Sequence, residues 1–295
     1  MNMKQRAGDR ASAVQGIYAN NDWARYLGIE WQASADQSTL HVSYDDRLLN
    51  SDGGVVHGGV IATLLHDAAW VVVARQLDES VSIEDLTAVD VDINYIRAAR
   101  NTDLSATAEV VRLGRQFVFA SSQVIDQAGQ LVAKGHWVFG FPAGQGEAEF
   151  LRQSETPENL WSGPMELSNI GKMMNQNMAK RVPGLSLRAL APGQCLLQVE
   201  NDSRLHDGVG GFSAGIQLLA TDNVGVFASF GLGQRITRAS TVALKYTRCR
   251  SVRDENLLVL GQSLNRTGGV VYNRTLVYGE QSLQLAGFGT MTFLS

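Results

Sequence analysis

Hydrophobic residues along the chain follow two kinds of spacing, and the same order of spacings occurs twice. Segments in which apolar and polar residues alternate indicate half-buried strands, whereas long apolar stretches indicate buried helices. In each half of the chain, a helix and two short strands precede a loop, a long apolar helix and four further strands. This order predicts an α+β chain built from two similar units.

The first unit is predicted to begin with a helix at Ser12–Leu27, and its long apolar helix runs from His57 to about Gln76. Turn-forming residues separate the remaining segments. The predicted strands of this unit are Gly28–Ser34, Ser38–Tyr44, Thr87–Ala98, Asp103–Leu113, Gln116–Asp126 and Leu131–Phe141.

The second unit is predicted to begin with a helix at Glu166–Arg181, and its apolar helix follows the loop Asp207–Gly211 and runs to about Phe230. The segments 94–97 (NYIR) and 245–248 (KYTR) match and set the register of the repeat. The predicted strands are Leu185–Leu190, Gln194–Glu200, Ser240–Arg250, Asn256–Asn265, Val270–Tyr278 and Ser282–Phe293.

The stretch between the units is rich in proline, glycine and acidic residues, which is typical of a linker. We therefore predict a first domain at residues 1–141, a linker at 142–165 and a second domain at 166–295. One apolar helix and one open sheet cannot cover each other completely, so each unit needs a partner. The two apolar helices are expected to pack side by side about a pseudo-twofold axis.

Composition narrows the classes of function. The 295 residues carry 25 Lys+Arg and 29 Asp+Glu, a net charge of −4, which gives nucleic-acid binding no electrostatic support. Two cysteines exclude a disulfide scaffold and form no zinc-type cluster with histidine, so neither a metal site nor a cofactor is expected. The polar N-terminus and the short apolar runs predict a cytoplasmic protein without a membrane span.

The candidate chemistry lies at His57-Gly58-Gly59, where the long apolar helix of the first unit begins. Two glycines let a ligand approach the backbone closely, and the N–H groups at a helix start suit an oxyanion or a thioester carbonyl. The alternative is a turn whose glycines serve only the packing of the helix.

The segment Val55–Ala69 resembles the hotdog-fold thioesterases, in particular their PaaI-type branch. Members of that branch share a loop Asn, a His-Gly-Gly turn and an acidic residue nine positions after the His. The resemblance extends over residues 45–141, and residues 166–294 resemble a diverged second hotdog domain. It implies two hotdog domains in tandem, each a curved antiparallel sheet wrapped around a central helix, paired by a pseudo-twofold axis.

Each half departs from the family pattern at a different point. Nine residues after His57 stands His66 instead of an acid, with Asp67 one step further. The second half has Ser213-Ala214-Gly215 in place of His-Gly-Gly, yet Asp222 stands nine residues after Ser213. Asn50 lies seven residues before His57, one more than the family spacing.

The resemblance implies that each site combines the two units, because nine residues along a helix span ~13 Å and one helix cannot supply both groups. Asn50, His57 and Gly58 would then face Asp222 in a complete site. Ser213 and Ala214 would face His66 in a second, possibly degenerate site, in which His66 is either a base or a packed residue.

The implied activity is hydrolysis of acyl thioesters, above all acyl-CoA. Gly58 would bind the thioester carbonyl, Asn50 would orient the carbonyl or the water, and Asp222 would be nucleophile or general base. Further substrate contacts are expected from Gly59, Thr63 and Asn223.

Three alternatives remain open at this point. Asp222 is either catalytic or a satisfied polar residue within its helix. The protein is either an enzyme or a noncatalytic module that binds acyl groups or acyl-CoA. A hotdog dehydratase or hydratase ranks last, because the Asp and His pair of that motif is not evident. Assembly into a homo-oligomer is also expected.

Overall fold

The computed structural model describes residues 3–33, 38–49, 54–141, 155–163, 167–230, 232 and 240–294. Asn50 and most of the predicted linker lie outside the described residues. The helices are α1 (Met3–Ala19), α2 (Asp22–Leu27), α3 (Gly58–Gln76), α4 (Pro157–Leu160), α5 (Asn169–Ala179) and α6 (Ala214–Phe230). Short 3-10 turns occur at Asp46–Leu48 and Ser203–Leu205.

Twelve strands are found in the described part of the chain, and they form one antiparallel sheet. They are β1 (Ile29–Ala33), β2 (Ser38–Val42), β3 (Thr87–Tyr95), β4 (Leu104–Leu113), β5 (Phe117–Asp126), β6 (Leu131–Gly140), β7 (Leu185–Ala191), β8 (Gln194–Val199), β9 (Ser240–Arg248), β10 (Leu257–Thr267), β11 (Val270–Gly279) and β12 (Leu285–Leu294).

The order of strands shows the internal repeat. The sheet runs β1-β2-β4-β5-β6-β3 and continues as β9-β12-β11-β10-β8-β7, so the second half has the order of the first in reverse. The halves join through antiparallel pairing of β3 with β9, in which Asp92 lies opposite Lys245. The sequence prediction of two hotdog domains related by a pseudo-twofold axis is confirmed by this arrangement.

The two apolar helices lie against this sheet and against each other, as the repeat predicted. Most residues of α3 and α6 are buried, because the strands of their own half and the other helix cover them. A helix that is apolar around its whole circumference is stable only in such a covered position. The α3–α6 contact is therefore the centre of the molecule.

By length and composition alone, α3 is a candidate membrane span, although the sequence analysis expected no segment of sufficient length. Its 19 residues include an 18-residue window with a mean hydropathy of 1.2, of which 72% is buried within the molecule. A helix buried to this extent by its own protein is a core helix, so α3 is apolar because it lies in the core.

The predicted first helix is two helices in the structure. The Asn21 side chain accepts a hydrogen bond from the Ala24 N–H and so caps a new helix, α2, after α1 has ended at Ala19. Gly28 ends α2 in a left-handed conformation (φ 72°), which glycine adopts without strain. Similarly, Ser168 caps α5, so this helix begins at Asn169, later than predicted.

Candidate active site

Close contact between α3 and α6 depends on one glycine in each helix. A Cβ atom at Gly59 would lie 2.6 Å from the Leu219 Cα, and one at Gly215 would lie 2.9 Å from the Thr63 Cβ. Both distances are far below van der Waals contact, so only glycine permits the crossing. Gly59 and Thr63 were predicted to contact substrate; the structure places both in this helix–helix contact, where Thr63 is fully buried.

The crossing places Asp222, in α6, at the beginning of α3. A Cβ atom at Gly58 would lie 2.9 Å from Oδ2 of Asp222, so the carboxylate occupies the space beside the first residue of α3. Asp222 is only 4% exposed. The acid of the second half and the helix start of the first half therefore meet at one point, although 164 positions in the sequence separate Gly58 from Asp222.

His57 connects the same two elements. Its Nδ1 accepts a hydrogen bond from the Gly59 N–H at 2.8 Å, which makes His57 the N-cap of α3. Because Nδ1 is an acceptor, Nε2 carries the ring proton and donates a hydrogen bond to Oδ1 of Asn223 at 2.8 Å. The His57 ring is thus the neutral tautomer, and its Nδ1 lies 3.8 Å from Oδ2 of Asp222.

Thr241 contacts the Asp222 carboxylate from β9. Its Oγ1 donates a hydrogen bond to Oδ1 of Asp222 at 2.6 Å, which fixes the carboxylate and leaves Oδ2 beside Gly58. Burial raises the pKa of the Asp222 carboxyl above its usual value, and the hydrogen bond from Thr241 offsets part of this rise. A desolvated carboxylate with a raised pKa is a stronger base than an exposed one.

Tyr95, in β3, also contacts the start of α3. Its hydroxyl donates a hydrogen bond to the Gly58 carbonyl at 3.1 Å, and its ring lies near the position of a Gly58 Cβ. Burial, and next the charge of Asp222, raise the pKa of Tyr95 well above its usual value, so the hydroxyl stays protonated. The sequence analysis noted the NYIR and KYTR segments only as a sign of the repeat and gave Tyr95 no role.

A pocket of about 400 Å³ opens beside the carboxylate. Two of the residues that line it, His57 and Thr241, lie within 3.8 Å of Asp222, and Asn223 also lines it. The rest of the lining is mostly apolar, although it includes Asn177, Arg181 and Ser240, and much of it comes from α5, α6 and β12. The apolar lining residues of these three elements are Met174, Met178, Val226, Phe227, Phe230 and Phe293.

The second combination of residues also surrounds a pocket. His66, Ser213 and Ala214 line a smaller cavity of about 100 Å³, together with Asp67. The residues that the sequence assigned to two different sites are thus brought together in two different places. Asn50 is the exception, since it lies outside the described residues.

Thr241 is the functional candidate that the sequence analysis missed. It lies in a strand 19 residues after Asp222, and no local pattern relates the two. A threonine near the start of a β-strand is ordinary, because β-branched residues favour strands. Only the position of β9 against α6 distinguishes it.

Part of the chain is similar in sequence to known proteins. A family model described as the thioesterase superfamily matches residues 53–133, which include α3. A protein of Halobacterium salinarum, provisionally named an esterase, is 32% identical over 125 residues, which cover 41% of this chain and 82% of that protein.

Solved structures share the fold along nearly the whole chain. A protein from Thermobifida fusca YX, provisionally named thioesterase II, has a TM-score of 0.66 at 14% identity, over 93% of this chain and 97% of that one. An acyl-CoA thioesterase II from Mycobacterium marinum has a TM-score of 0.60 at 15% identity, over 92% and 96%. A hot dog-fold protein of unknown function from Alicyclobacillus acidocaldarius has a TM-score of 0.60 at 13% identity, over 94% and 97%.

The sheet order and these structural similarities define a tandem hotdog protein. By its similarity in sequence to the family model and to the Halobacterium protein, the chain belongs to the thioesterase superfamily.

Proposed function

We propose that this protein hydrolyses acyl-CoA thioesters at the composite site between its two halves. The observation that carries the proposal is the position of Asp222 Oδ2, which lies 2.9 Å from the point that a Gly58 Cβ atom would occupy. A thioester carbonyl at the start of α3 would therefore be within reach of a carboxylate from the other half.

In the proposed reaction, the carbonyl oxygen accepts a hydrogen bond from the Gly58 N–H. This N–H belongs to the first turn of α3 and has no acceptor within the helix. The positive end of the helix dipole stabilises the negative charge that develops on the oxygen. His57 maintains the turn by capping α3, and Asn223 maintains His57.

Asp222 supplies the group that starts the reaction, either as the base that takes a proton from water or as the nucleophile itself. As a base, Asp222 passes the proton of the attacking water to the thiolate when the carbon–sulfur bond breaks. As a nucleophile, it displaces the thiolate, which takes a proton from water, and holds the acyl group as a mixed anhydride that a second water molecule hydrolyses. Both routes consume water and release a thiol and a carboxylic acid. Thr241 is a positioning residue that holds Oδ1, so that Oδ2 remains directed toward Gly58.

The 400 Å³ pocket supports an acyl group of considerable size as the part that is recognised. Its lining includes three phenylalanines and two methionines, and two of these, Phe227 and Phe230, follow Asn223 on the same face of α6. Each buried methylene contributes about 0.8 kcal/mol. We therefore propose medium-length acyl chains as the preferred substrates, with the chain directed along α6.

The proposal is tested by measuring turnover of acetyl-, octanoyl- and dodecanoyl-CoA by the wild type, Asp222→Asn and Asp222→Ala. We expect both variants to lose octanoyl-CoA turnover by ~100-fold or more. Ligand binding without turnover in the wild type would instead indicate a noncatalytic acyl-CoA binding module. Unchanged turnover in both variants would remove Asp222 from the mechanism.

Single turnover in isotopically labelled water distinguishes the two roles of Asp222. A nucleophilic carboxylate forms a mixed anhydride, and water that attacks this anhydride at the Asp222 carboxyl carbon leaves the label in Asp222, so a labelled Asp222 shows the nucleophilic role. A general base leaves the carboxylate unlabelled and places the label directly in the product.

A further inference from the structure

The smaller pocket of about 100 Å³ stands where the pseudo-twofold axis repeats the composite site. It contains the start of α6 in place of the start of α3. In the middle of the opposite helix, His66 takes the place of Asp222 and Asp67 takes the place of Asn223. This pocket therefore also combines the start of one helix with a titratable side chain from the other. Its base would be the imidazole of His66, whereas the composite site has the carboxylate of Asp222.

The hydrogen bonds of Asp67 define the state of the His66 ring. Asp67 is 2% exposed, and its Oδ2 accepts hydrogen bonds from the Tyr18 hydroxyl at 3.2 Å and from Nδ2 of Asn21 at 3.4 Å. Its Oδ1 lies 2.8 Å from Nδ1 of His66. A carboxylate that accepts from two donors also accepts from this third one, so Nδ1 carries the proton and Nε2 keeps its lone pair.

The aromatic and polar neighbours hold this pair in place. The His66 ring packs edge-on against Trp137, with ring centroids 5.4 Å apart, and lies 6.0 Å from the Phe139 ring. Tyr18 and Asn21 come from α1 and from the N-cap of α2, so the N-terminal helices orient Asp67 as well as covering the pocket. An oriented acid beside an imidazole is the arrangement by which hydrolases prepare a general base.

The charged residues that line the pocket are mostly acidic. Besides Asp67, the lining includes the acids Glu84, Asp85 and Asp207, against two arginines, Arg248 and Arg253. Four acids against two arginines leave the lining of the pocket with a net negative charge. The same charge balance disfavours a free anion as the ligand and fits an uncharged acyl group.

We propose that this pocket is a second hydrolytic site, specific for short-chain acyl thioesters, with His66 as its general base. The proposal rests on the proposed thioesterase function and adds a second substrate class to it. The cavity at His66 has a volume of about 100 Å³ and the one beside Asp222 about 400 Å³. The smaller cavity therefore suits a short acyl group and the larger one a longer acyl group.

The reaction is balanced with water as the only co-reactant. Water attacks the carbonyl carbon while Nε2 of His66 takes its proton, and the carbonyl oxygen becomes an oxyanion at the start of α6. The carbon–sulfur bond then breaks, and the leaving thiolate receives the proton from the imidazolium. Ser213 is not the nucleophile, because it is 1% exposed and its Oγ caps α6 by accepting from the Gly215 N–H.

The test compares kcat/KM for acetyl-CoA and octanoyl-CoA in full-length wild type, Asp222→Asn, His66→Gln and Asp67→Asn. We expect His66→Gln to lower acetyl-CoA hydrolysis by ~100-fold and to leave octanoyl-CoA hydrolysis within about twofold. Asp222→Asn should show the opposite selectivity. Asp67→Asn should resemble His66→Gln, because an amide does not fix the same tautomer. His136→Gln is the matched control, since His136 is exposed on β6 and lies outside both pockets.

The ratio of the two activities separates the possible results, since a variant that only folds less well loses both activities by the same factor. An unchanged acetyl-to-octanoyl ratio in His66→Gln and Asp67→Asn would overturn the second site and leave the composite site intact. Loss of both activities in an Asp222→Asn variant that keeps the melting temperature of the wild type would do the same. Unchanged octanoyl-CoA turnover in Asp222→Asn would instead overturn the proposed function. The second site would then be tested by the His66→Gln and Asp67→Asn variants alone.

Discussion

His57 of the first half and Asn223 of the second half share a hydrogen bond of 2.8 Å between Nε2 and Oδ1. Asn223 directly follows Asp222 in α6, and His57 directly precedes Gly58 at the start of α3. The bond therefore links the start of α3 to α6 directly beside Gly58 and Asp222, the two residues proposed to act on the substrate. It also fixes the protonation of the ring, because the other ring nitrogen accepts from the Gly59 N–H.

The two functions of His57 can be separated with a residue that the chain itself uses. Ser213 caps α6 at the position equivalent to His57, so His57→Ser should keep the cap of α3 and lose the bond to Asn223. His57→Ala should lose both. We expect the alanine variant to be less stable than the serine variant by about 0.5–2 kcal/mol, measured by urea unfolding, while both lose activity. Equal stability of the two variants would contradict the capping role.

Gly58→Ala is expected to disable the site without unfolding the protein. The new Cβ would lie 2.9 Å from Oδ2 of Asp222 and would displace the carboxylate. A displacement of this size lowers kcat/KM by ~100-fold, measured with octanoyl-CoA, while the melting temperature stays near that of the wild type. Gly16→Ala is the matched control, because nothing lies within 4 Å of a Cβ at that position of α1. Full activity of Gly58→Ala would contradict the geometry.

Asp222→Asn should stabilise the folded protein at neutral pH. Burial raises the pKa of Asp222 in the folded state, so the ionised carboxylate costs stability at any pH above that raised value. The cost falls as the pH is lowered through the folded-state pKa toward the unfolded-state value. The melting temperature of the variant should therefore exceed that of the wild type at neutral pH, and the difference should shrink in mild acid. A melting-temperature difference that grows as the pH is lowered would contradict a raised pKa of Asp222.

Thr241→Val should shift the acidic limb of the pH–activity profile to higher pH. The Thr241 hydroxyl stabilises the ionised form of Asp222, so its removal raises the pKa of that carboxyl further. Thr241→Ser keeps the hydroxyl and should restore the wild-type limb. The check is kcat/KM for octanoyl-CoA across the acidic range; identical limbs in all three proteins would mean that Thr241 does not act on Asp222.

Phe230→Ala should move the substrate preference toward longer acyl chains. Phe230 lines the apolar part of the pocket and contacts the Phe293 ring at a centroid distance of 6.0 Å. Space for two further methylenes raises the dodecanoyl-to-octanoyl ratio of kcat/KM by about tenfold. Phe288→Ala removes an exposed ring of β12 and is the control. An unchanged ratio in Phe230→Ala would show that the acyl chain takes another path.

Several features of this protein could be read from the chain because they are local. Alternation of apolar and polar residues placed the strands of both halves, and the matching NYIR and KYTR segments set the repeat. The helix boundaries were less accurate, because a cap depends on where one side chain turns back to the backbone, as Asn21 does.

The spacing of His57, His66, Ser213 and Asp222 also showed that each half had lost a different part of the family pattern. This difference is a property of the sequence alone, and it led to the expectation of composite sites. The expected substrate contacts of Gly59 and Thr63 show the limit of such reasoning. Both residues are instead used where the helices cross, and their contacts, Leu219 and Gly215, are far away in the sequence.

The repeat and the residue types at the helix starts are evident in the chain alone, because they follow from local periodicity and spacing, and the tandem hotdog fold was implied by the resemblance of Val55–Ala69 to the family. Only the tertiary structure decided which atoms meet: Asp222 with Gly58 and Thr241, Asn223 with His57, and Asp67 with His66, Tyr18 and Asn21. The physical reason is that each of these sites depends on the angle and depth at which α3 and α6 cross under one sheet. That crossing is set by the packing of the whole molecule, and no local segment encodes it.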